Sequence, residues 1–198
     1  MSGEGNTSSQ SVDALSRELY EFCQSESLSE DGLRAIIERH EVAPNDPRVT
    51  NNNYVFFHRA CRNVRLTEGI LRILLEYFPY AASDTDEFGD MPLHDIFDNR
   101  YEGGKSNVTL GMVQLLIDAS PNSLLHENRG GCTPLHCLCD NGRVDEEVGL
   151  EILKLLLEKC PESVQHADED GSLPIHYAAM SQSLEFCRIL IEAFPGSV

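Results

Sequence analysis

The chain has 198 residues, of which 41% are hydrophobic, and its formal net charge at pH 7 is −18. This length and apolar fraction allow a sizeable core or a short repeat stack, and they exclude a globally disordered chain. The acidity argues against DNA, RNA and anionic lipid as main partners, because all three are polyanions. It is consistent both with plain solubility and with recognition of a basic partner, and composition alone leaves the two open.

Residues 1–11 are rich in Gly, Ser and Asn and lack the basic-then-apolar pattern of a signal peptide, so we expect a disordered N-terminus. No apolar run approaches the roughly 18–20 residues of a membrane span. The chain has seven cysteines, an odd number, without a secretion signal. Free thiols in a reducing compartment are therefore expected, which predicts an intracellular protein of the cytoplasm or nucleus.

Residues 12–45 predict a helix pair. Its apolar positions fall in 19–23 and 33–38, and acidic and basic side chains cover the rest. This pair lacks the motifs that mark the rest of the chain, so we interpret it as a degenerate N-terminal cap.

From there on the chain repeats itself. Pro79, Pro121 and Pro161 each precede a second proline by 13 residues. Each second proline opens the same phrase: Pro92-Leu93-His94, Pro134-Leu135-His136 and Pro174-Ile175-His176. Self-similarity at a fixed period is typical of stacked-repeat architectures.

Each repeat predicts two helices. Thr133 is a good N-cap, and Pro134 stands where a missing N–H has no cost, so a short first helix starts there and ends near Asn141-Gly142. Four segments share an apolar stripe too wide for a lone surface helix and are predicted second helices: 70–75, 112–117, 152–157 and 186–191.

Polar turns separate the pairs. An Asp or Asn precedes a Gly by three residues in each of the segments 86–89, 128–131 and 168–171, which is turn chemistry.

The pattern resembles the ankyrin repeat over roughly residues 46–198. The hallmark Asp-x-x-Gly-x-Thr-Pro-Leu-His fits best in the copies beginning at Asn128 and Asp168. Met91 and Leu173 replace the capping Thr, and each repeat ends in a Pro-x-Ser/Ala phrase instead of the usual Gly-Ala-Asp-Val-Asn. The resemblance implies an all-α, ankyrin-type solenoid with short β-hairpin finger loops.

The predicted organisation is a degenerate first repeat at 46–83, then repeats at 84–124, 125–164 and 165–198, with no C-terminal cap. The proline-to-proline link between repeats is constant, so the variation in repeat length lies between the two helices, near 100–108 and 143–148.

Several constellations imitate reactive sites. His58, His94, His136 and His176 recur once per repeat, on the order of 10 Å apart, whereas zinc ligands lie about 2 Å from the metal. By resemblance, this histidine bonds to the backbone of the neighbouring turn, so we assign all four a structural role.

Other apparent sites also fail. Cys137 and Cys139 are two residues apart on a helix and point to different faces, so they do not form a zinc site with Cys132. Phe88 occupies a ligand position of the calcium-like loop at 84–95. Gly103-Gly104-Lys105-Ser106 follows a helix rather than a strand, which excludes a phosphate loop. We predict no metal, no cofactor and no catalysis.

The favoured function is a protein–protein interaction module, an adaptor or scaffold, that binds a basic partner segment on an acidic concave surface. The resemblance places that surface at the finger tips and the exposed ends of the first helices. The predicted contact residues are Glu87, Phe88, Asp90, Asp98, Asn99, Arg129, Cys132, Asp140, Asn141, Glu169, Asp170, Ser172, Met180 and Ser181, with Phe88 and Met180 as apolar anchors.

The alternative is a regulatory segment of a larger enzyme or signalling protein. The last predicted helix keeps the interior apolar pattern, so we expect its end to meet further repeats or to self-associate.

Overall fold

The structure is a computed structural model that describes residues 7–46, 49, 54–98 and 106–194. Helices follow one another in pairs. The first two pairs are α1 (Thr7–Cys23) with α2 (Glu30–Arg39), and α3 (Val55–Cys61) with α4 (Glu68–Tyr77). The next three are α5 (Pro92–Asp95) with α6 (Leu110–Ala119), α7 (Pro134–Asp140) with α8 (Glu146–Lys159), and α9 (Pro174–Ser181) with α10 (Leu184–Ala193).

The pairs stack in two rows. The first helices pack in the order α1, α3, α5, α7, α9, and the second helices in the order α2, α4, α6, α8, α10. The second-helix row presents fully buried side chains to the core, including Leu71, Val113 and Leu153. This arrangement confirms the predicted all-α helical repeat fold.

Short 3-10 segments link the pairs and explain the Pro-x-Ser/Ala phrase. They are Pro79–Ser83, Pro121–Leu125 and Pro161–Gln165. Ser123 Oγ donates to the Ser120 carbonyl at 2.6 Å, and Ser163 Oγ donates to the Cys160 carbonyl at 2.7 Å. Both serines are buried, as is Ala81 at the same position, so only a small side chain fits there.

The histidine of each repeat explains why the N-cap threonine is dispensable. His94 Nδ1 accepts from the Met91 N–H at 3.1 Å, and His176 Nδ1 accepts from the Leu173 N–H at 2.9 Å. The ring thus satisfies the N-cap N–H from inside the helix, which is one half of a capping box. The N-cap side chain is then free to be apolar.

Two expectations need correction. Helix α1 begins at Thr7, so residues 7–11 are helical rather than disordered. The buried Leu15 and Leu19 hold this helix on its neighbours, and its Ser and Gln residues lower helix stability by only a few tenths of a kcal/mol each.

The finger loops are turns without strands within the described residues. In the first finger, the Gly89 N–H donates to the Asp86 carbonyl at 3.0 Å and closes the turn, and one further backbone bond joins the two sides, from the Asp86 N–H to the Asp90 carbonyl at 3.0 Å. One such bond is too few for a ladder.

Candidate interaction surface

The surface predicted to bind a partner consists of three finger turns, residues 86–89, 128–131 and 168–171, and the C-terminal ends of α5, α7 and α9. We call this the finger face. Each turn is built in the same way. Asp86 Oδ1 accepts from the N–H groups of Phe88 at 2.8 Å and Asp90 at 3.0 Å. Asn128 and Asp168 make the equivalent pairs of bonds in their turns.

The glycine of each finger has a left-handed backbone. The φ angles are 77° at Gly89, 73° at Gly131 and 78° at Gly171. A side chain at this φ costs about 1–2 kcal/mol, which explains the glycine in each turn.

Neighbouring fingers are bonded to one another. The Arg129 N–H donates to the Phe88 carbonyl at 2.9 Å, and the Glu169 N–H donates to the Gly130 carbonyl at 3.1 Å. The three tips therefore form one continuous row.

Most of the predicted contact residues are accessible. Those classed as exposed are Glu87, Phe88, Arg129, Asp140, Glu169, Asp170 and Met180. Cys132, Ser172 and Ser181 are half-buried, and Asn99 lies outside the described residues.

Two predicted contact residues instead join repeats internally. Asp90 is 6% exposed and accepts from Asn128 Nδ2 at 2.8 Å. Asn141 is 2% exposed, and its Nδ2 donates to the Phe97 carbonyl at 3.1 Å. Their polar groups are already bonded within the chain, so a partner cannot use them while the repeats stay together.

Several fingertip carboxylates are likewise engaged. Asp84 Oδ2 accepts from the Tyr54 N–H at 2.9 Å, and Asp168 Oδ2 accepts from the Tyr177 hydroxyl at 2.6 Å. The hydrogen bond from Tyr177 is the main cause that lowers the pKa of Asp168. The fingertip acidity counted from the sequence is therefore larger than the acidity a partner meets.

The four repeat histidines, His58, His94, His136 and His176, form hydrogen bonds within the chain, and their partners differ from repeat to repeat. His94 Nε2 lies 3.0 Å from the His126 carbonyl, and His136 Nε2 lies 3.2 Å from the Ser172 carbonyl. These bonds tie each first helix to the next finger. Burial lowers the pKa of both rings, which keeps them neutral at pH 7.

His58 departs from this pattern, since its Nδ1 lies 2.5 Å from Asp95 Oδ2 rather than on a backbone group. Arg62, four residues after His58 and directly after the end of α3, contacts the same site. Its guanidinium lies 2.6 Å from Asp86 Oδ2 and 3.1 Å from Asp98 Oδ2, and it also pairs with Asp95.

Arg62 stabilises the ionised form of Asp86 in the first finger. Burial alone would raise the pKa of Asp86, but the hydrogen bonds from Arg62 and from two backbone N–H groups outweigh it and lower that pKa. Asp95 is the deepest carboxylate, and burial raises its pKa to about 6 although His58 and Arg62 oppose the shift.

Arg62 is not among the residues that the sequence singled out. A signal was present. Arg62 stands four residues after its repeat's histidine, at the position that Asp98 and Asp140 occupy in the next two repeats. Residues at the same position of adjacent repeats lie next to each other in the stack. A base at that position in one repeat and an acid in the next therefore predict an ion pair.

One oxygen of Asp86, one of Asp95 and a nitrogen of His58 lie within 4.8 Å of one another, as metal ligands would. The Arg62 guanidinium, however, already binds both carboxylates. A cation at this position would lie against that positive charge, so we assign no metal to the cluster.

A cavity of about 230 Å³ opens on the finger face between α5 and α7. Phe97 and Cys137 supply apolar surface, while Asp98 and Asp140 supply carboxylates. Burial raises the pKa of the Cys137 thiol well above its usual value, so the thiol stays neutral and unreactive.

Comparison with known families identifies the repeats. Residues 104–197 match the family model for ankyrin repeats in three copies. Residues 104–197 are therefore ankyrin repeats, which are generally protein–protein interaction modules and typically non-catalytic. No curated protein matches the sequence. Among the described residues, no helix is both long enough and apolar enough to span a bilayer.

Proposed function

We propose that this chain is a non-catalytic adaptor or scaffold whose finger face binds a basic segment of a protein partner. The observation that carries the proposal is the exposed charge of the finger face. Of its predicted contact residues, the exposed charged ones are Glu87, Asp140, Glu169, Asp170 and Arg129, four acids against one base.

The cavity between α5 and α7 supports the same partner chemistry. Its Phe97 surface suits the aliphatic stem of a lysine or arginine, and the carboxylates of Asp98 and Asp140 suit the charged end. Asp98 also pairs with Arg62, the Oδ2 to Nε distance being 3.1 Å.

Two exposed apolar side chains flank the acidic row. Phe88 is 47% exposed on the first of the three fingers, and Met180 is 76% exposed near the end of α9. Large apolar groups within a charged rim are typical anchors of protein interfaces. We assign them that role.

The test is binding of a panel of peptides that differ in lysine and arginine content. Basic peptides should associate faster at low salt than at high salt, because exposed charges are screened within about 10 Å at 0.1 M ionic strength. The double variant Glu169→Lys/Asp170→Lys should weaken binding. The double variant Glu151→Lys/Glu158→Lys changes the net charge by the same amount and is the control, since both residues are exposed on α8, in the second-helix row.

Two results would contradict this proposal. One is an association rate that does not change with ionic strength. The other is an equal loss of affinity in the finger-face variant and the α8 variant, because a nonspecific effect of net charge predicts the same loss for both.

We also propose that the outer end of the last pair self-associates. The first helix of this pair is less covered than the first helix of the pair before it. In α7, Leu135 and His136 are 1% and 0% exposed, whereas at the equivalent positions of α9 Ile175 is half-buried and His176 is exposed. On α10, Leu184 is 90% exposed. The outer end of the last pair thus has the apolar residues typical of an interior repeat, but these residues are more exposed than those of an interior repeat.

Light scattering at increasing protein concentration tests self-association. The wild type should increase in mass, and Leu184→Glu should shift the equilibrium to the monomer. A wild type that stays monomeric at tens of micromolar contradicts self-association and favours a further repeat as the natural cover.

We place the protein inside the cell, in the cytoplasm or nucleus. All seven cysteines are free thiols, and burial raises the pKa of Cys23 to about 12. Thiol titration of the denatured protein, purified without reductant, should count seven thiols. A lower count would indicate disulfides and an oxidising compartment.

A further inference from the structure

The joint between α3 and α5 contains a concentration of buried charge that the interaction function does not require. His58 lies in α3, Arg62 directly follows that helix, and Asp95 is the last residue of α5. Three further carboxylates surround them: Asp86 in the first finger, Asp90 just after that finger, and Asp98 shortly after α5. The side chains of all six groups are at most 9% exposed.

The charges of this joint do not balance. Four carboxylates contact one guanidinium, the 3.5 Å contact between Arg62 and Asp90 being the longest. Asp90 and Asp98 have further partners, but Asp86 and Asp95 together already carry one negative charge more than Arg62 neutralises when both are ionised. Burying an uncompensated charge is costly, and proteins commonly relieve that cost by binding a proton.

The hydrogen bonds of the joint are also incomplete. Asp95 Oδ1 and His58 Nε2 are buried without a hydrogen-bond partner, although Asp95 Oδ1 lies beside the Arg62 guanidinium. The 2.5 Å contact between His58 Nδ1 and Asp95 Oδ2 needs one proton between the two atoms. A second proton on the pair would remove one of the excess negative charges.

Other titratable groups near the pair do not supply this compensation. The pKa of the Cys61 thiol on α3 and that of the Cys137 thiol on α7 are raised well above the usual value by burial, so both stay neutral. His94 on α5 has a lowered pKa, caused mainly by burial. Cys23 on α1 is a buried neutral thiol.

We propose that the joint between α3 and α5 is proton-linked: the His58–Asp95 pair binds an additional proton in mildly acidic solution, and the joint weakens when that proton is lost. The direction follows from the carboxyl group. Its pKa is about 6 in the folded protein, against 3.8 for an ordinary aspartate. The stabilisation is therefore complete below about pH 4 and disappears as the pH rises through 6.

Native-state hydrogen exchange tests the proposal between pH 5.0 and 7.5. After correction for intrinsic exchange, the opening constant of the amides in α3 and α5 should rise about tenfold over this range in the wild type. Asp95→Asn cannot titrate and should lose this rise. Asp170→Asn, an exposed finger carboxylate, is the matched control and should keep it.

Helices α7 and α8 of the wild type provide an internal reference, since they lie outside the joint. Their opening constants should not follow the tenfold change, and this comparison remains valid even if Asp95→Asn folds poorly. Equal changes in all helices, or the same pH profile in the wild type and Asp95→Asn, would overturn the proposal. It does not depend on partner binding and can fail or succeed independently of the proposed function.

Discussion

A single arginine shows how one side chain determines the character of a repeat junction. Arg62 takes the place in its repeat that acidic residues take in the next two, and four aspartates converge on it. The carboxylates of Asp86 and Asp90 are thereby directed into the molecule, and Glu87 is the exposed acid of the first finger. The third finger keeps two exposed acids at its tip, Glu169 and Asp170, whereas the second finger exposes Arg129.

Replacing Arg62 by alanine should destabilise the protein by about 3–5 kcal/mol, because it leaves buried carboxylates without their counter-charge. Arg65→Ala is the control: Arg65 is exposed, and its removal should change the free energy of unfolding by less than about 0.5 kcal/mol. Urea unfolding at pH 7 measures both. Equal urea midpoints for the two variants would mean that the ion cluster makes no net contribution to the free energy of unfolding.

The histidines offer a comparison of one residue type in two settings. His136→Ala should cost about 1–3 kcal/mol, since it removes bonds to the Thr133 N–H and the Ser172 carbonyl in a fully buried site. His176→Ala should cost less, because His176 is exposed and its Nδ1 accepts from the Leu173 N–H at the start of its own helix. Thermal unfolding distinguishes the two. Unchanged stability of His136→Ala together with lost partner binding would instead indicate a direct role in recognition.

At the scale of elements, the fingers show how neighbouring repeats constrain each other. Gly131 and Gly171 have nearly the same φ, but a β-carbon at Gly131 would lie 2.7 Å from the Glu169 nitrogen, whereas one at Gly171 meets nothing within 4 Å. Gly131 is thus required both by its left-handed backbone and by the close approach of the next finger. Gly171 is required by its left-handed backbone.

Gly131→Ala should therefore destabilise the protein more than Gly171→Ala does. Left-handed strain predicts about 1–2 kcal/mol for each, and the backbone clash adds to the cost at Gly131. Denaturant midpoints of the two variants, compared with wild type, provide the test. If the two losses are equal, the fingers are less tightly apposed than described.

Much of this architecture was predictable from local rules. The Pro-Leu-His phrases, the glycines three residues before each proline and the wide apolar stripes are fixed by capping, turn geometry and burial, which act over a few residues. These rules predict the all-helical repeat fold correctly, whereas the structural role that we assign to the histidines stays a prediction.

The remaining features depend on contacts between repeats. Asp90 and Asn141 occupy positions that the resemblance makes exposed, yet each bonds to a residue about 40 positions away, Asn128 and Phe97 respectively. Which polar side chain turns inward is decided by the partner it finds in the adjacent repeat. A pattern read within one repeat cannot contain that information.

For the molecule as a whole, stability is distributed along the stack. Each pair contacts its neighbours in sequence, so the free energy is approximately a sum of intrinsic and nearest-neighbour terms. The α7–α8 pair has a neighbour on each side, and the α9–α10 pair has a described neighbour on one side alone.

Amides of α9 and α10 should therefore exchange faster than those of α7 and α8 at low protein concentration. If the outer end self-associates as proposed, protection of α10 should rise with concentration, while α7 and α8 change little. Hydrogen exchange followed by mass spectrometry at two concentrations measures both effects. Uniform exchange along the chain would indicate all-or-none opening.

The constant link between repeats makes the third one an interchangeable unit. Residues 121–124 and 161–164 have equivalent positions in two 3-10 segments, each 13 residues before the proline that opens the next first helix. A chain spliced from residue 124 to residue 165 would keep that spacing. It would also offer the Phe88 carbonyl to the Glu169 N–H in place of the Arg129 N–H that it now accepts. A stack shortened by one unit would thus retain the backbone bond between neighbouring fingers, although Asp168 would then face Asp90 in place of Asn128.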